Sequence, residues 1–172
     1  MVAAVTATKT MTRLVSLKSD AKPDITPSAA ELKKIAIDLL SRRDHSRQEL
    51  KQKLLLKGGD ADVIAEVIDW CTSENYQSDS RYCAMLVRAK VNKGYGPAVV
   101  SQAARENGID RELLTQTLEE LEIDWFELAL SQYQKKFADK PITDFQDKQK
   151  RMGFMQRRGF NSAQIQYALK PE

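Results

Sequence analysis

The residue types that catalyse reactions are sparse in this chain of 172 residues. His45 is the sole histidine, and it stands beside Ser46, a pair of residue types that serves in nucleophilic catalysis. A catalytic triad also needs a third group that orients the histidine, and two neighbours at a helix start do not supply it. The signatures GxxxxGK[ST], GxGxxG and HExxH, which bind phosphates or zinc, do not occur. The sequence therefore predicts a protein that is not an enzyme and has no cofactor or metal site.

Charged side chains indicate a different chemistry, because bases and acids alternate in blocks. Residues 31–57 hold eight bases against four acids, residues 81–105 hold five against none, and residues 128–172 hold nine against four. Between them, residues 58–80 hold six acids and no base, and residues 106–127 hold eight acids against one base. Stacking of like units would collect these blocks into a basic and an acidic stripe. A basic stripe suits a phosphate backbone or an acidic protein surface; a role in folding and solubility alone is the other interpretation.

A threefold Gly-x-Asp/Asn phrase defines the elements that must position these charges. A glycine at such a point ends one helix in the left-handed conformation, and the Asp or Asn two residues later caps the next helix. Aliphatic residues six and ten positions after each glycine then share one face of that next helix. The phrase begins at Gly58, Gly108 and Gly159, which are separated by 50 and 51 positions. We expect positive φ at all three glycines, and the smallest cost of substitution at the terminal Gly159.

The repetition predicts an all-α protein, built as an elongated array of three tandem three-helix repeats. The repeats cover residues 26–78, 79–123 and 124–172, and residues 1–25 form a flexible N-terminal leader. No apolar run approaches the ~18 residues of a membrane span. Cys71 and Cys83 lie in apolar helical patterns without CxxC spacing, as is typical of reduced core residues. We therefore expect a cytoplasmic protein with no membrane partner.

Local signals predict where individual helices begin and which faces they bury. Thr26 and Pro27 predict the start of the first helix, and residues 46–49 (Ser-Arg-Gln-Glu) predict a capping box at the start of the second. Thr143 is the predicted cap of the eighth helix, which makes that helix about one turn longer than its counterparts. The predicted inward faces include Ala89, Phe126 and Phe145.

Three segments of the chain resemble signature segments of the RecX family. They run in order over roughly residues 30–170 and are Arg42–Ser46 with Glu49 and Leu50, Asn75–Tyr82, and Lys93–Pro97. One departure is Asn75, where the family often has glycine; Asn also tolerates a left-handed turn. The resemblance implies a regulator of the RecA recombinase that binds in the helical groove of the RecA–DNA filament. Such proteins slow ATP hydrolysis and strand exchange by RecA and limit filament growth.

The predicted contacts with the filament and its DNA are basic and aromatic residues. They are Arg42, Arg43, Arg47, Lys51, Arg88, Lys90, Lys93, Tyr95, Lys148, Lys150, Arg151, Arg157 and Arg158. Gly94, Gly96 and Pro97 are expected to shape a turn instead. The expected partners of this monomer are the RecA filament and, weakly and through the backbone, single- and double-stranded DNA. Two alternatives remain open: a direct DNA-binding helical protein, and a generic helical-repeat adaptor for another protein.

Overall fold

The computed structural model of the protein describes residues 26–138 and 140–169, so the predicted leader (residues 1–25) lies outside the described residues. In the described part of the chain the backbone forms nine α-helices and no strand, which confirms the all-α prediction. The helices are α1 (Ala29–Arg42), α2 (Arg47–Leu55), α3 (Ala61–Ser73), α4 (Asp79–Asn92), α5 (Pro97–Glu106), α6 (Arg111–Glu120), α7 (Trp125–Phe137), α8 (Phe145–Arg157) and α9 (Ser162–Leu169). None of these helices is both long enough and apolar enough to span a bilayer.

The helices group in threes, and each group encloses its own hydrophobic core. In every group the first helix packs against the third: α1 on α3, α4 on α6 and α7 on α9. Large side chains that are fully buried include Leu32, Leu50, Leu54 and Ile64 in the first core, Val87 and Val100 in the second, and Met155 and Ile165 in the third. We call the groups domain one (α1–α3), domain two (α4–α6) and domain three (α7–α9).

The three phrase glycines end the middle helices as predicted. Gly58, Gly108 and Gly159 have φ of +84°, +73° and +89°, the left-handed region that favours glycine. After each of them an Asp or Asn caps the third helix of the domain. The Asp110 carboxylate, for example, accepts from the Leu113 N–H at 2.8 Å.

Two predicted helix starts and one predicted capping box need correction. The cap of α1 is Ser28 rather than Thr26, because Ser28 and Glu31 form a reciprocal capping box. The cap of α8 is Asp144 rather than Thr143, because its carboxylate accepts from the Asp147 N–H at 2.8 Å. At α2 the Ser46 hydroxyl accepts from a backbone N–H as predicted. The Glu49 carboxylate, in contrast, pairs with two side chains described below.

Three residues predicted to face inward are exposed. Phe145 is 74% exposed because α8, with 13 residues, exceeds α2 and α5 (9 and 10 residues) by an N-terminal turn that overhangs the core. Phe126 is 44% exposed and packs edge-on against Tyr167, with ring centroids 5.5 Å apart. Ala89 lies outside the buried stripe of α4, which passes through Tyr82, Cys83 and Val87.

The middle helices α8 and α5 meet end to end. The Gly96 N–H donates to the Arg158 carbonyl at 2.7 Å, and the Ala98 N–H donates to the Gly159 carbonyl at 3.1 Å. The first amides of a helix have no partner inside it, so the end of α8 satisfies donors that α5 cannot satisfy itself. The two helix dipoles are therefore aligned head to tail.

The N-terminus of α2 meets the end of α5 in the same way, with a side chain in place of backbone. The Gln48 amide donates to the Glu106 carbonyl at 3.1 Å, and the same side chain fills the space beside Gly108. The three middle helices thus join end to end through the array, and we call this series of helices the column.

The column corrects the expected ranking of the phrase glycines. A Cβ on Gly159 would lie 2.7 Å from the backbone nitrogen of Val99, whereas a Cβ on Gly58 would meet nothing closer than Pro27 at 3.8 Å. Gly159 is therefore the most constrained of the three, because the domain two junction closes over it.

Candidate functional site

The predicted contact residues at the end of α1 are exposed but already paired with carboxylates. The Arg42 guanidinium lies 2.9 Å from the Asp38 carboxylate, and both side chains are exposed. Arg43 forms two hydrogen bonds with the Glu49 carboxylate, one of them at 3.0 Å. These pairs reduce the positive charge that domain one presents to a ligand.

Arg47 connects α2 with α3 and α4. Its guanidinium is ion-paired with Asp69 and donates to the Thr72 hydroxyl at 2.8 Å. Its backbone N–H donates to the Asp79 carboxylate at 2.9 Å, across the junction with domain two. The Arg47 side chain therefore joins α2 to α3, its backbone N–H joins α2 to α4, and Asp69 compensates its charge.

The histidine and serine considered for catalysis are both engaged within the start of α2. His45 is buried, with Nδ1 3.0 Å from the Glu49 carboxylate, and its carbonyl accepts from the Gln77 amide at 3.2 Å. The Ser46 hydroxyl caps the helix. Burial alone raises the pKa of Glu49, but the hydrogen bonds from Arg43 and the close approach of His45 Nδ1 outweigh it and hold this pKa below its ordinary value.

Four predicted contact residues come together where domains two and three meet. The Lys90 ammonium and the Arg158 guanidinium lie 5.5 and 5.4 Å from the Tyr95 ring centroid, within range of cation–π attraction. Arg158 Nη1 donates to the Lys93 carbonyl at 2.7 Å. The Arg158 guanidinium thus supplies a donor to a backbone carbonyl at the C-terminal end of α4, where the helix dipole favours positive charge.

These residues border a shallow groove, which we call the junction groove. It is lined by Lys93, Gln132, Lys135, Lys136, Phe154 and Arg158, with Lys90 and Tyr95 beside it. The sequence interpretation missed Gln132, Lys135, Lys136 and Phe154. A usable signal was present, since Lys135 and Lys136 are adjacent cations in the sequence, and the structure places both in the last turn of α7.

The cations of the junction groove differ from Arg42, Arg43 and Arg47 in having no carboxylate partner. Within residues 26–138 and 140–169, no acidic side chain lies within ion-pair distance of Lys90, Lys93, Lys135, Lys136 or Arg158. The groove therefore combines five positive charges that no carboxylate of the described residues neutralises by ion pairing.

The remaining predicted contacts flank the groove or lie away from it. On α8, Lys150 and Arg157 share the face that carries Phe154, because seven residues return a helix to nearly the same direction. Lys148 and, on α4, Arg88 lie on the opposite sides of their helices from Lys150 and Lys90. Lys51 is exposed beside a separate cleft between α2 and α3, which Leu55 and Ile68 also line.

Arg151 is the predicted contact residue that the structure removes from the surface. Its side chain is buried, lies 2.8 Å from the Asp147 carboxylate and donates to the Tyr133 hydroxyl at 2.8 Å. It also donates to the Lys140 and Pro141 carbonyls, at 2.9 and 3.1 Å. The hydrogen bond from Arg151 lowers the pKa of Asp147. Arg151 therefore fastens the loop before α8 and is not available for contact.

Comparison with known proteins assigns the three domains in order. Residues 33–71, 78–118 and 122–169 match the family models described as RecX first, second and third three-helix domain. The chain belongs to the RecX family. Proteins named Regulatory protein RecX share 44% identity over 141 residues in Vibrio cholerae and 35% over 135 residues in Xanthomonas citri. The first alignment covers 82% of this chain and 93% of the relative, and the second covers 78% and 83%.

Solved RecX structures have the same fold. The structure described as RecX from Lactobacillus salivarius aligns with a TM-score of 0.70 and 22% sequence identity, covering 82% of this chain and 94% of that chain. A second, described as regulatory protein RecX, aligns with a TM-score of 0.68 and 21% identity, covering 81% and 73%. The three-domain array is thus the fold of this family.

The RecX-like segments lie at the junctions between domains. The Arg81 guanidinium donates to the Asp44 carboxylate at 3.1 Å and to the Tyr76 carbonyl at 2.9 Å, which joins the first segment to the second. Asn75 has φ of +59°, the left-handed conformation expected where the family often has glycine. The third segment, Lys93–Pro97, meets the end of α8. Much of the resemblance therefore reflects how the domains are joined.

Proposed function

We propose that this protein binds in the groove of the RecA–DNA filament and inhibits ATP hydrolysis, strand exchange and filament growth by RecA. The observation that carries the proposal is the match of all three RecX domains, in order, over most of the chain. The protein acts by binding rather than by catalysis, as a monomer in the cytoplasm.

The architecture supports a long contact surface better than a small-molecule site. The column of α2, α5 and α8 holds three domains in line, as contact with a continuous filament requires. In the described part of the chain no three His, Cys, Asp or Glu side chains are grouped to hold a metal ion. The uncompensated cations of the junction groove give this surface a region suited to an anionic partner.

The test is ATP hydrolysis by RecA on single-stranded DNA, with the protein added over a range below and above equimolar. We expect turnover to fall at or below one protein per RecA, since a filament-bound regulator acts on neighbouring subunits. Unchanged turnover at severalfold excess would contradict the proposal and would favour the helical-repeat adaptor.

A second candidate function is direct DNA binding without RecA, and the junction groove is the observation that favours it. Lys93, Lys135, Lys136 and Arg158 converge without a carboxylate partner in the described residues, a pattern that fits phosphate neutralisation. Binding to DNA alone, with no effect on RecA turnover, would favour this candidate over filament regulation.

A further inference from the structure

We propose that the junction groove is a binding site for the phosphodiester backbone of DNA, and that it exists only while domains two and three are docked. The inference rests on the proposed function and deepens it, because it assigns the DNA-facing part of the array to named residues. It also excludes the arginines of domain one from that role.

The three arginines of domain one and the groove cations differ in whether a carboxylate neutralises their charge. Arg42, Arg43 and Arg47 each hold a carboxylate, so an incoming phosphate would have to displace an existing partner. The groove cations require no such exchange. Exposed ion pairs contribute little to stability but do cancel the local field, so the groove attracts an anion more strongly than these three paired arginines do.

The high share of lysine among the groove cations favours phosphate over an acidic protein surface as the ligand. Protein interfaces are enriched in Arg and aromatic residues and depleted in Lys, whereas three of the four cations that line the groove are lysines. Lysine is a compact point charge that suits phosphate oxygens without demanding a planar, bidentate partner.

The aromatic rings of Tyr95 and Phe154 already have cations over their faces. Arg158 and Lys136 lie 5.3 and 5.8 Å from the Phe154 ring centroid, and Lys90 and Arg158 cover Tyr95. Bases would have to displace these cations before they could stack on the rings. The site therefore binds the backbone and does not discriminate between sequences.

Neither domain two nor domain three forms the junction groove alone. Lys90 and Lys93 come from α4 and its end, Lys135 and Lys136 come from α7, and Arg158 comes from the end of α8. The two sets are held together by the Arg158 to Lys93 hydrogen bond and by the contacts between α5 and α8. A ligand that binds only the docked arrangement stabilises it, so DNA binding and docking are thermodynamically coupled.

The test uses the full chain without RecA and a fluorescein-labelled oligo(dT), with binding followed by fluorescence anisotropy over a salt series. The groove variant is Lys93→Gln with Lys136→Gln. The control is Lys34→Gln with Lys57→Gln. These two substitutions of exposed lysines in domain one remove the same amount of positive charge. Each single-strand phosphate contact contributes about 0.7 to the slope of log affinity against log salt, so the groove variant should lose about 1.4 in slope. Its affinity at low salt should fall on the order of tenfold.

The control variant should keep its slope and remain within about twofold of the unaltered protein. Equal losses in both variants would overturn the assignment, because binding would then follow net charge alone. Competition by polyglutamate as effective as by unlabelled oligo(dT) would overturn the choice of phosphate. Circular dichroism verifies folding, and Lys135→Gln with Lys90→Gln serves as a second groove variant if the first does not fold. Because RecA is absent, either result leaves the ATP hydrolysis test of the proposed function independent.

Amide hydrogen exchange tests the coupling to docking. The Gly96 and Ala98 amides, which donate across the junction, should exchange more slowly when oligo(dT) is bound. Unchanged exchange at these two amides at saturating oligo(dT) would contradict a site that depends on docking.

Discussion

At the residue scale, Arg151 and Arg157 show that two arginines of one helix have different roles. Replacing Arg151 with Gln leaves the Asp147 carboxylate, the Tyr133 hydroxyl and two carbonyls without their donor. We expect the free energy of unfolding to fall by about 2–4 kcal/mol in urea denaturation, since breaking a buried pair is costly. The exposed Arg157→Gln should change it by less than ~0.5 kcal/mol. Equal effects would contradict the assignment of Arg151 to the architecture.

The Glu49 carboxylate should make stability depend on acid pH. Its pKa is lowered in the folded protein, so its contribution is present above the unfolded pKa of about 4.3 and is lost as pH falls through the folded value. Urea denaturation between pH 7 and pH 3 should therefore show a shallower acid-side decline for Glu49→Gln than for the unaltered chain. The exposed Glu66→Gln serves as the control. Parallel declines for Glu49→Gln and the unaltered chain would show that the Arg43 and His45 contacts do not favour the ionised carboxylate.

At the element scale, the column of middle helices predicts unequal costs at the three phrase glycines. Gly58→Ala should cost about 1–2 kcal/mol in unfolding free energy, the penalty of a left-handed L-residue. Gly159→Ala should cost more, because a new Cβ would also strike the Val99 backbone, which cannot rotate away. Gly108 should lie between them, since its neighbour is the flexible Gln48 side chain. Urea denaturation of the three variants measures the order, and a smallest cost at Gly159 would contradict the column.

The helices, and the caps that follow the phrase glycines, were predictable from the sequence because their signals are local. The spacing of Gly58, Gly108 and Gly159 and the Asp or Asn after each gave the helix ends correctly. Contacts between helices, within a domain or between domains, were not predictable in this way. The pairing of Arg47 with Asp69 spans 22 positions, and the bond from Arg158 to Lys93 spans 65. No periodicity reports such a distance, so compensated and uncompensated basic residues looked alike.

At the scale of the whole molecule, the joining of the three RecX domains creates the junction groove. The middle helices join the three domains end to end, and the junction of domains two and three brings together five cations that no described carboxylate pairs with. On the proposed function, DNA binding requires the docked arrangement of domains two and three, so contact with a filament would favour that arrangement.

The measurement that tests this account most directly is a titration of RecA ATP hydrolysis on single-stranded DNA with matched variants. Unaltered protein and the Lys34→Gln, Lys57→Gln control should give overlapping inhibition curves. Lys93→Gln with Lys136→Gln should need on the order of tenfold more protein for half-inhibition, as expected from the loss of two phosphate contacts. Overlapping curves for all three folded proteins would contradict the claim that the junction groove holds the protein on the filament.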